Sequence, residues 1–299
     1  MKVLFSGVCT ALVTPFKNGE VDFKALGNLI HRQIDAGVDA LCILGTTGEA
    51  STLSFEEKCE IIKHMTDYIR QKNITLIFGI GGNNPTEIIK LGRVVREQCE
   101  CKQLRVAVML SAPYYNKCTQ DGAVKFFNTI ANAVQLPMIV YNVPGRTGVN
   151  LEPETLALIC KNKYVCGIKE ASGNIEQIAE VVRVCSDVAS ALRRNDVSET
   201  AISEQSTSNS VTVYCGDDTI ALPCYSVGCK GIISVASNVR PKEVLEIWKN
   251  KARELYLKEL PFYRSLFSQV NPIPVKYELS KLGLIQNELR LPLTAMNAK

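Results

Sequence analysis

Lys169 closes an apolar run, Tyr164-Val165-Cys166-Gly167-Ile168-Lys169, that breaks soon after into Ser172-Gly173-Asn174. The run reads as a buried strand that ends in a lysine and passes into a turn. Burial disfavours a charged amine, and a neutral amine can condense with a ketone to form a Schiff base. The competing reading is a strand-end lysine whose ammonium reaches water along its apolar stem.

Other polar groups stand at the ends of other apolar runs. They are Gly45-Thr46-Thr47-Gly48-Glu49, Ala112-Pro113-Tyr114-Tyr115-Asn116, Tyr141-Asn142-Val143-Pro144-Gly145-Arg146-Thr147-Gly148, Gly216-Asp217-Asp218 and Gly231-Ile232-Ile233-Ser234. Each also has a plain structural reading. Gly-Thr-Thr-Gly is a tight turn before a helix, and Tyr141 is a core aromatic with a satisfied hydroxyl. Arg146 is a surface ion pair, and Asp217 and Asp218 cap the helix that follows. The only histidines, His31 and His64, lie inside amphipathic stretches. Proton transfer would therefore fall to Tyr, Thr and Lys.

The elements that must position these groups alternate along the chain. Short apolar strands are expected at 8–13, 40–44, 75–80, 105–110, 138–142, 165–169, 211–215 and 231–235. Amphipathic helices are expected at 21–36, 55–69, 86–98, 119–134, 153–160, 175–186, 219–227 and 241–257, the second behind a capping box of Ser54 and Glu57. Eight apolar strands, each followed by a helix, predict an α/β fold of the (β/α)8 TIM-barrel type, with catalytic groups at the C-terminal strand ends. An open doubly wound sheet is the alternative. The barrel is expected over residues 1–256 and a small C-terminal helical appendage over 257–299, with helix 275–282 after the Pro272-Ile273-Pro274 break. Residues 187–210 read as a polar insertion between the sixth helix and seventh strand, on the face away from the site.

With 299 residues, 46% hydrophobic and 21% charged, the chain has the composition of a globular protein. Its net charge of +4 is spread out, with no basic block for nucleic acid or membrane. The apolar N-terminus lacks the pattern of a cleaved signal, and no run is long enough to span a membrane. A cytoplasmic protein with reduced thiols is expected. Its twelve cysteines have no zinc-ligand spacing, and several fall in strands as small hydrophobes. No metal and no cofactor is implied.

Taken together and in this order, the motifs resemble the dihydrodipicolinate synthase and N-acetylneuraminate lyase family of class I aldolases. The resemblance runs from Gly7 to about Leu293 and includes Asn271-Pro-Ile-Pro-Val-Lys276 and Leu289-Arg-Leu-Pro-Leu293. It implies that Lys169 forms the Schiff base with pyruvate and that Tyr141 donates and accepts the proton. Thr46 would link Tyr141 to Tyr115, a residue that in the family reaches in from a neighbouring subunit. A phenol, with a pKa of ~10, is a weak base unless such a relay carries its proton onward. Thr47 and the Ile233 backbone would hold the pyruvate carboxylate, with Gly216 also against substrate. Arg146 would hold the carboxylate of aspartate semialdehyde, and it separates this chain from the sialic-acid lyases.

The resemblance further implies a homo-oligomer, either a dimer or a dimer of dimers. It places a possible lysine effector site at Asn83, Glu87 and Tyr114. Phe55 and Lys58 replace histidines of lysine-sensitive members, so weak or absent inhibition by lysine is expected. The chain departs from the family at 187–210, at a longer 98–104 stretch and in ending soon after Leu293. A lyase for sialic acid or a 2-keto-3-deoxy sugar acid is the nearest alternative. A non-catalytic barrel scaffold is the remote one.

Overall fold

The computed structural model describes residues 3–69, 72, 74–100, 102, 104–196 and 211–296. Eight parallel strands close into a barrel: β1 (Gly7–Ala11), β2 (Ala40–Ile43), β3 (Thr75–Gly79), β4 (Val106–Ser111), β5 (Met138–Asn142), β6 (Val165–Glu170), β7 (Thr212–Cys215) and β8 (Gly231–Ser234). Each pairs with its sequence neighbours, and β1 closes the ring against β8. The expected strands are all present, within two residues at their ends.

Around the barrel lie α1 (Phe23–Ala36), α2 (Phe55–Tyr68), α3 (Pro85–Glu100), α4 (Gln120–Val134), α5 (Pro153–Ile159), α6 (Ile175–Asp196), α7 (Ala221–Ser226) and α8 (Pro241–Asn250). The Asp22 carboxylate accepts the Ala25 N–H at the start of α1, and Gly37 ends that helix in the left-handed conformation. At α2, Ser54 and Glu57 form the reciprocal capping box read from the sequence.

Side-chain alternation divides the core into two layers. In β2, Leu41 and Ile43 face the helices, whereas Ala40 and Cys42 fill the barrel interior. Cys9 and Cys166 are interior too, so several of the many cysteines are small apolar fillers. Phe5 stacks on Tyr214 within the same interior, with ring centroids 4.3 Å apart.

Two features differ from expectation, and a third extends it. A small hairpin, Phe16–Lys17 with Glu20–Val21, precedes α1. The helix expected over 241–257 is two: Lys251 takes a left-handed conformation, and α9 (Arg253–Ser265) begins after it. The expected barrel boundary at 256 thus falls inside α9. Helix α6 continues to Asp196, so the first part of the 187–210 insertion is helical. Residues 197–210 lie outside the described set, as do 101 and 103 of the 98–104 stretch. The last helix is α10 (Ile273–Lys281).

Candidate active site

Register places the candidate nucleophile. Lys169 on β6 pairs with Tyr141 on β5 and with Tyr214 on β7. All three side chains face the barrel interior, while the next pair, Asn142 and Glu170, faces outward. The Lys169 Nζ lies 4.1 Å from the centre of the Tyr141 ring, and each residue is only 7% exposed. A cavity of about 130 Å³ opens above them, lined by Thr46, Thr47, Tyr141, Arg146, Lys169, Gly216 and Asn271 among others. Cys42 forms part of its wall. Burial pushes the Cys42 thiol up to about 11 and Cys9 well above its ordinary value, although Lys169 pulls both down. These thiols stay neutral and leave the amine chemistry to Lys169.

Two glycines make room for this arrangement. A Cβ on Gly216 would stand 2.8 Å from the Ala171 Cβ and 3.0 Å from the Lys169 Cε. Any larger residue there would displace the lysine. A Cβ on Gly79 would collide with the carbonyl of Leu44, which itself has φ of 57°. Such left-handed backbone in a branched residue is strained, and it turns the chain sharply from β2 into Gly45-Thr46-Thr47-Gly48.

The C-terminal segment then fixes that turn from outside the barrel. Asn271 donates from Nδ2 to Thr47 Oγ1 at 3.0 Å, and its carbonyl accepts a long 3.5 Å bond from Arg146 Nη2. Lys276 reaches Glu49 at 2.5 Å, both side chains being fully buried. Burial pulls the Lys276 amine down, and Glu49 counters it. Arg290 donates its backbone N–H to Glu49 and pairs through its guanidinium with Glu57. Lys276 and the Leu289–Leu293 motif therefore act at a distance, by holding residues 45–49 over the cavity, whereas Asn271 also lines it.

Beside Lys169, Glu170 is fully buried and accepts from Asn142 Nδ2, Ser172 N–H and Gln177 Nε2. These donors lock the end of β6. Asp217 accepts from the N–H and hydroxyl of Thr219, so it is the expected cap. Asp218 is not. Its Oδ2 accepts from the Val235 and Ala236 N–H groups, which ties β7 to the turn after β8. Burial pushes its carboxyl up to about 6, against the pull of these hydrogen bonds.

One subunit brings Lys169, Tyr141, Thr46, Thr47, Arg146 and Gly216 together. Ile233 is buried in β8 and does not itself line the cavity, whereas Val235, two residues on, does. Tyr115 does not join the group. It is 87% exposed, with φ of 72°, and its N–H is tied to the Thr147 carbonyl at 3.2 Å. A larger recess of about 520 Å³ shares Thr46, Tyr141 and Arg146 with the inner cavity. Phe55, Lys58, Asn83, Glu87 and Tyr114 all line it. Asn83 grips the Tyr114 backbone through both its amide nitrogen and its amide oxygen. Asn271, Glu49, Lys276 and Asp218 were not expected as supports of the site. The only signals of the first three were the motifs that contain them, Gly45–Glu49 for Glu49 and Asn271–Lys276 for the other two.

Comparison with known proteins gives the same answer along the whole chain. The model of the dihydrodipicolinate synthetase family matches residues 4–199 and 193–299. The chain belongs to this family. The two matched stretches overlap at residues 193–199, beginning within the last turn of α6. A 4-hydroxy-tetrahydrodipicolinate synthase of Geobacter metallireducens is 40% identical over 302 residues, covering 99% of this chain and 94% of the relative. Among solved structures, a monomeric dihydrodipicolinate synthase variant superposes with a TM-score of 0.86 at 37% identity, covering 99% of this chain and 93% of the other. The dihydrodipicolinate synthase of Thermotoga maritima gives 0.85 at 38% identity, over 98% of this chain and 94% of that one.

Proposed function

We propose that this chain joins pyruvate to L-aspartate 4-semialdehyde, giving 4-hydroxy-tetrahydrodipicolinate, through a Schiff base on Lys169. The observation that carries this reading is a buried amine beside a phenol, in a small cavity rimmed by Arg146 and Thr47. The name borne by the Geobacter metallireducens relative supports it.

The Lys169 amine attacks the pyruvate ketone, and water leaves as the iminium forms. Tyr141 supplies and recovers the protons of that exchange. Thr47 and the β8 backbone at Ile233 hold the carboxylate, and Gly216 leaves room for the bound ketone. The iminium draws electrons from the pyruvate methyl, which loses a proton and becomes an enamine carbon. That carbon attacks the aldehyde of the second substrate, whose carboxylate Arg146 holds, and the new alkoxide takes up a proton. The substrate's own amino group then adds to the iminium carbon, closing the ring as Lys169 departs as the free amine. Thr46 passes the proton between Tyr141 and a tyrosine from outside the subunit.

That outside tyrosine is Tyr115 of a second copy. Its exposure and left-handed backbone in this chain support a homo-oligomer, a dimer or a dimer of dimers, acting in the cytoplasm. Among the described residues, no helix is long and apolar enough to cross a membrane. Asn83, Glu87 and Tyr114 form an effector recess in which Lys58 disfavours the cationic side chain of lysine.

Product formation from the two substrates, followed by a coupled assay, tests the reading. Arg146→Ala should lower kcat/KM for the aldehyde by about 10²-fold while pyruvate still forms its adduct. Unimpaired turnover in Arg146→Ala, or cleavage of sialic acid by the wild type, would favour the sugar-acid lyase instead.

A further inference from the structure

The pair of strands that carries Lys169 and Tyr141 is tied again one residue further on. Tyr141 pairs with Lys169 and faces the interior, whereas the next pair, Asn142 with Glu170, faces outward. Asn142 and Glu170 are both fully buried. The Asn142 Nδ2 donates to both Glu170 carboxylate oxygens, at 3.2 and 3.0 Å.

Backbone donors fix the orientation of every amide around this carboxylate. The Leu151 N–H donates to Asn142 Oδ1 at 3.0 Å, so Asn142 turns its Nδ2 toward Glu170 and toward Asn150 Oδ1. Asn150 then donates from Nδ2 to Gln177 Oε1, which leaves Gln177 Nε2 to donate to Glu170 Oε2 at 3.4 Å. The Ser172 N–H donates to Glu170 Oε1 at 2.8 Å. Among the described residues, every hydrogen-bond partner of the carboxylate is a donor. A carboxylate accepts at both oxygens and suits this shell, whereas an amide would turn its own N–H against a donor. An apolar pair would join two strands without the cost of burying a carboxylate. What the carboxylate adds is fixed geometry, since Asn142 cannot rotate without losing Leu151, Asn150 or Glu170.

We propose that Glu170 is a positioning residue that, through Asn142, sets how closely the Tyr141 phenol approaches the Lys169 amine. This rests on the proposed reaction. Tyr141 and Asn142 are consecutive in β5, and Lys169 and Glu170 are consecutive in β6, so a shift of the outer pair passes directly to the inner one. The inner pair holds Lys169 Nζ 4.1 Å from the centre of the Tyr141 ring. Tyr141 must reach the atoms that exchange protons as the iminium forms, and a displacement of about 1 Å can cost about 10²-fold in rate. Glu170 touches no substrate and acts only through Asn142 and the backbone.

The test is the rate of Schiff-base formation with pyruvate, read by rapid quenching into borohydride, beside the pyruvate KM and the melting temperature. Glu170→Gln should slow adduct formation about 10- to 100-fold while the pyruvate KM changes less than about threefold. The double variant Glu170→Gln/Asn142→Asp exchanges amide and carboxylate across the pair and should recover most of the rate. A role in stability alone would lower the melting temperature and leave the rate of the folded protein unchanged. A wild-type rate in folded Glu170→Gln would therefore overturn the assignment. A folded double variant that stays slow would overturn it too, as would a rise in pyruvate KM that matches the loss of rate. If either buried variant fails to fold, Gln177→Glu decides. Gln177 is half-buried in the first turn of α6, where an acid suits the helix, and the change turns a donor to Glu170 into a second acceptor. Folded Gln177→Glu should form the adduct about 10-fold more slowly, and a wild-type rate would overturn the assignment. A wild type that forms no adduct would remove the proposed reaction and this assignment together. Wild-type rates in the folded variants would remove the assignment alone.

Discussion

The two sides of the barrel mouth are built on different principles. On the lysine side, Lys169, Glu170, Thr47, Glu49, Asn271 and Lys276 are all buried, and the β6 end, the β2 turn and the C-terminal segment lock one another. On the tyrosine side, Tyr114 and Tyr115 are exposed on a loop held by backbone bonds and by the Asn83 amide. The first side is complete within one chain. The second presents the Tyr115 phenol outward. A nucleophile must be held rigidly to keep its attack geometry, whereas a relay end can be delivered by association.

Removing a support should break the lysine side most severely. Lys276→Met leaves the Glu49 carboxylate buried without its cation, a loss of about 3–5 kcal/mol. Urea unfolding would measure it, and a change below about 1 kcal/mol, typical of exposed pairs, would mean that the ion pair supports little. On the tyrosine side, Tyr115→Phe should lower kcat by about 10²-fold with the fold unchanged. Wild-type specific activity should also fall on dilution, as the partner's phenol is lost. Activity that is independent of both would leave the mouth complete in a monomer.

Smaller effects sharpen the contrast. The folded-state carboxyl of Asp218 titrates at about 6, above its ordinary 3.8. Between those values the folded state binds a proton that the unfolded chain releases. The contribution of Asp218 to stability is therefore greatest at low pH and declines as pH rises through the window. Thermal melts across that range should show the wild type losing stability relative to Asp218→Asn, and parallel curves would contradict it. The outer recess should respond least. With Phe55 and Lys58 in place, micromolar lysine should leave the steady-state rate unchanged, and strong inhibition would refute this. Lys58 lines the recess, so a second cation entering it meets like charge.

Local patterns made most of the lysine side legible. The barrel follows from eight apolar runs, and Lys169 and Tyr141 stood out because polar groups at strand ends are unusual. The supports were hidden because they join distant parts of the chain. Glu49 and Lys276 lie 227 residues apart, and no periodicity records that pairing. Asp218 resembled a helix cap because its sequence context suits one, yet its bonds run to the turn after β8. The break at Lys251 was equally hidden, since a lysine in a left-handed turn carries none of the signal that glycine would. The outward turn of Tyr115 depends on backbone strain at a tyrosine, which residue type alone does not encode.

The most direct test of the account is borohydride reduction of the protein with pyruvate, read by intact mass and peptide mapping. The account predicts one stable pyruvate adduct per chain, located on Lys169 and absent from Lys169→Arg. A folded wild-type protein that gives no adduct, or gives one on another lysine, would contradict it.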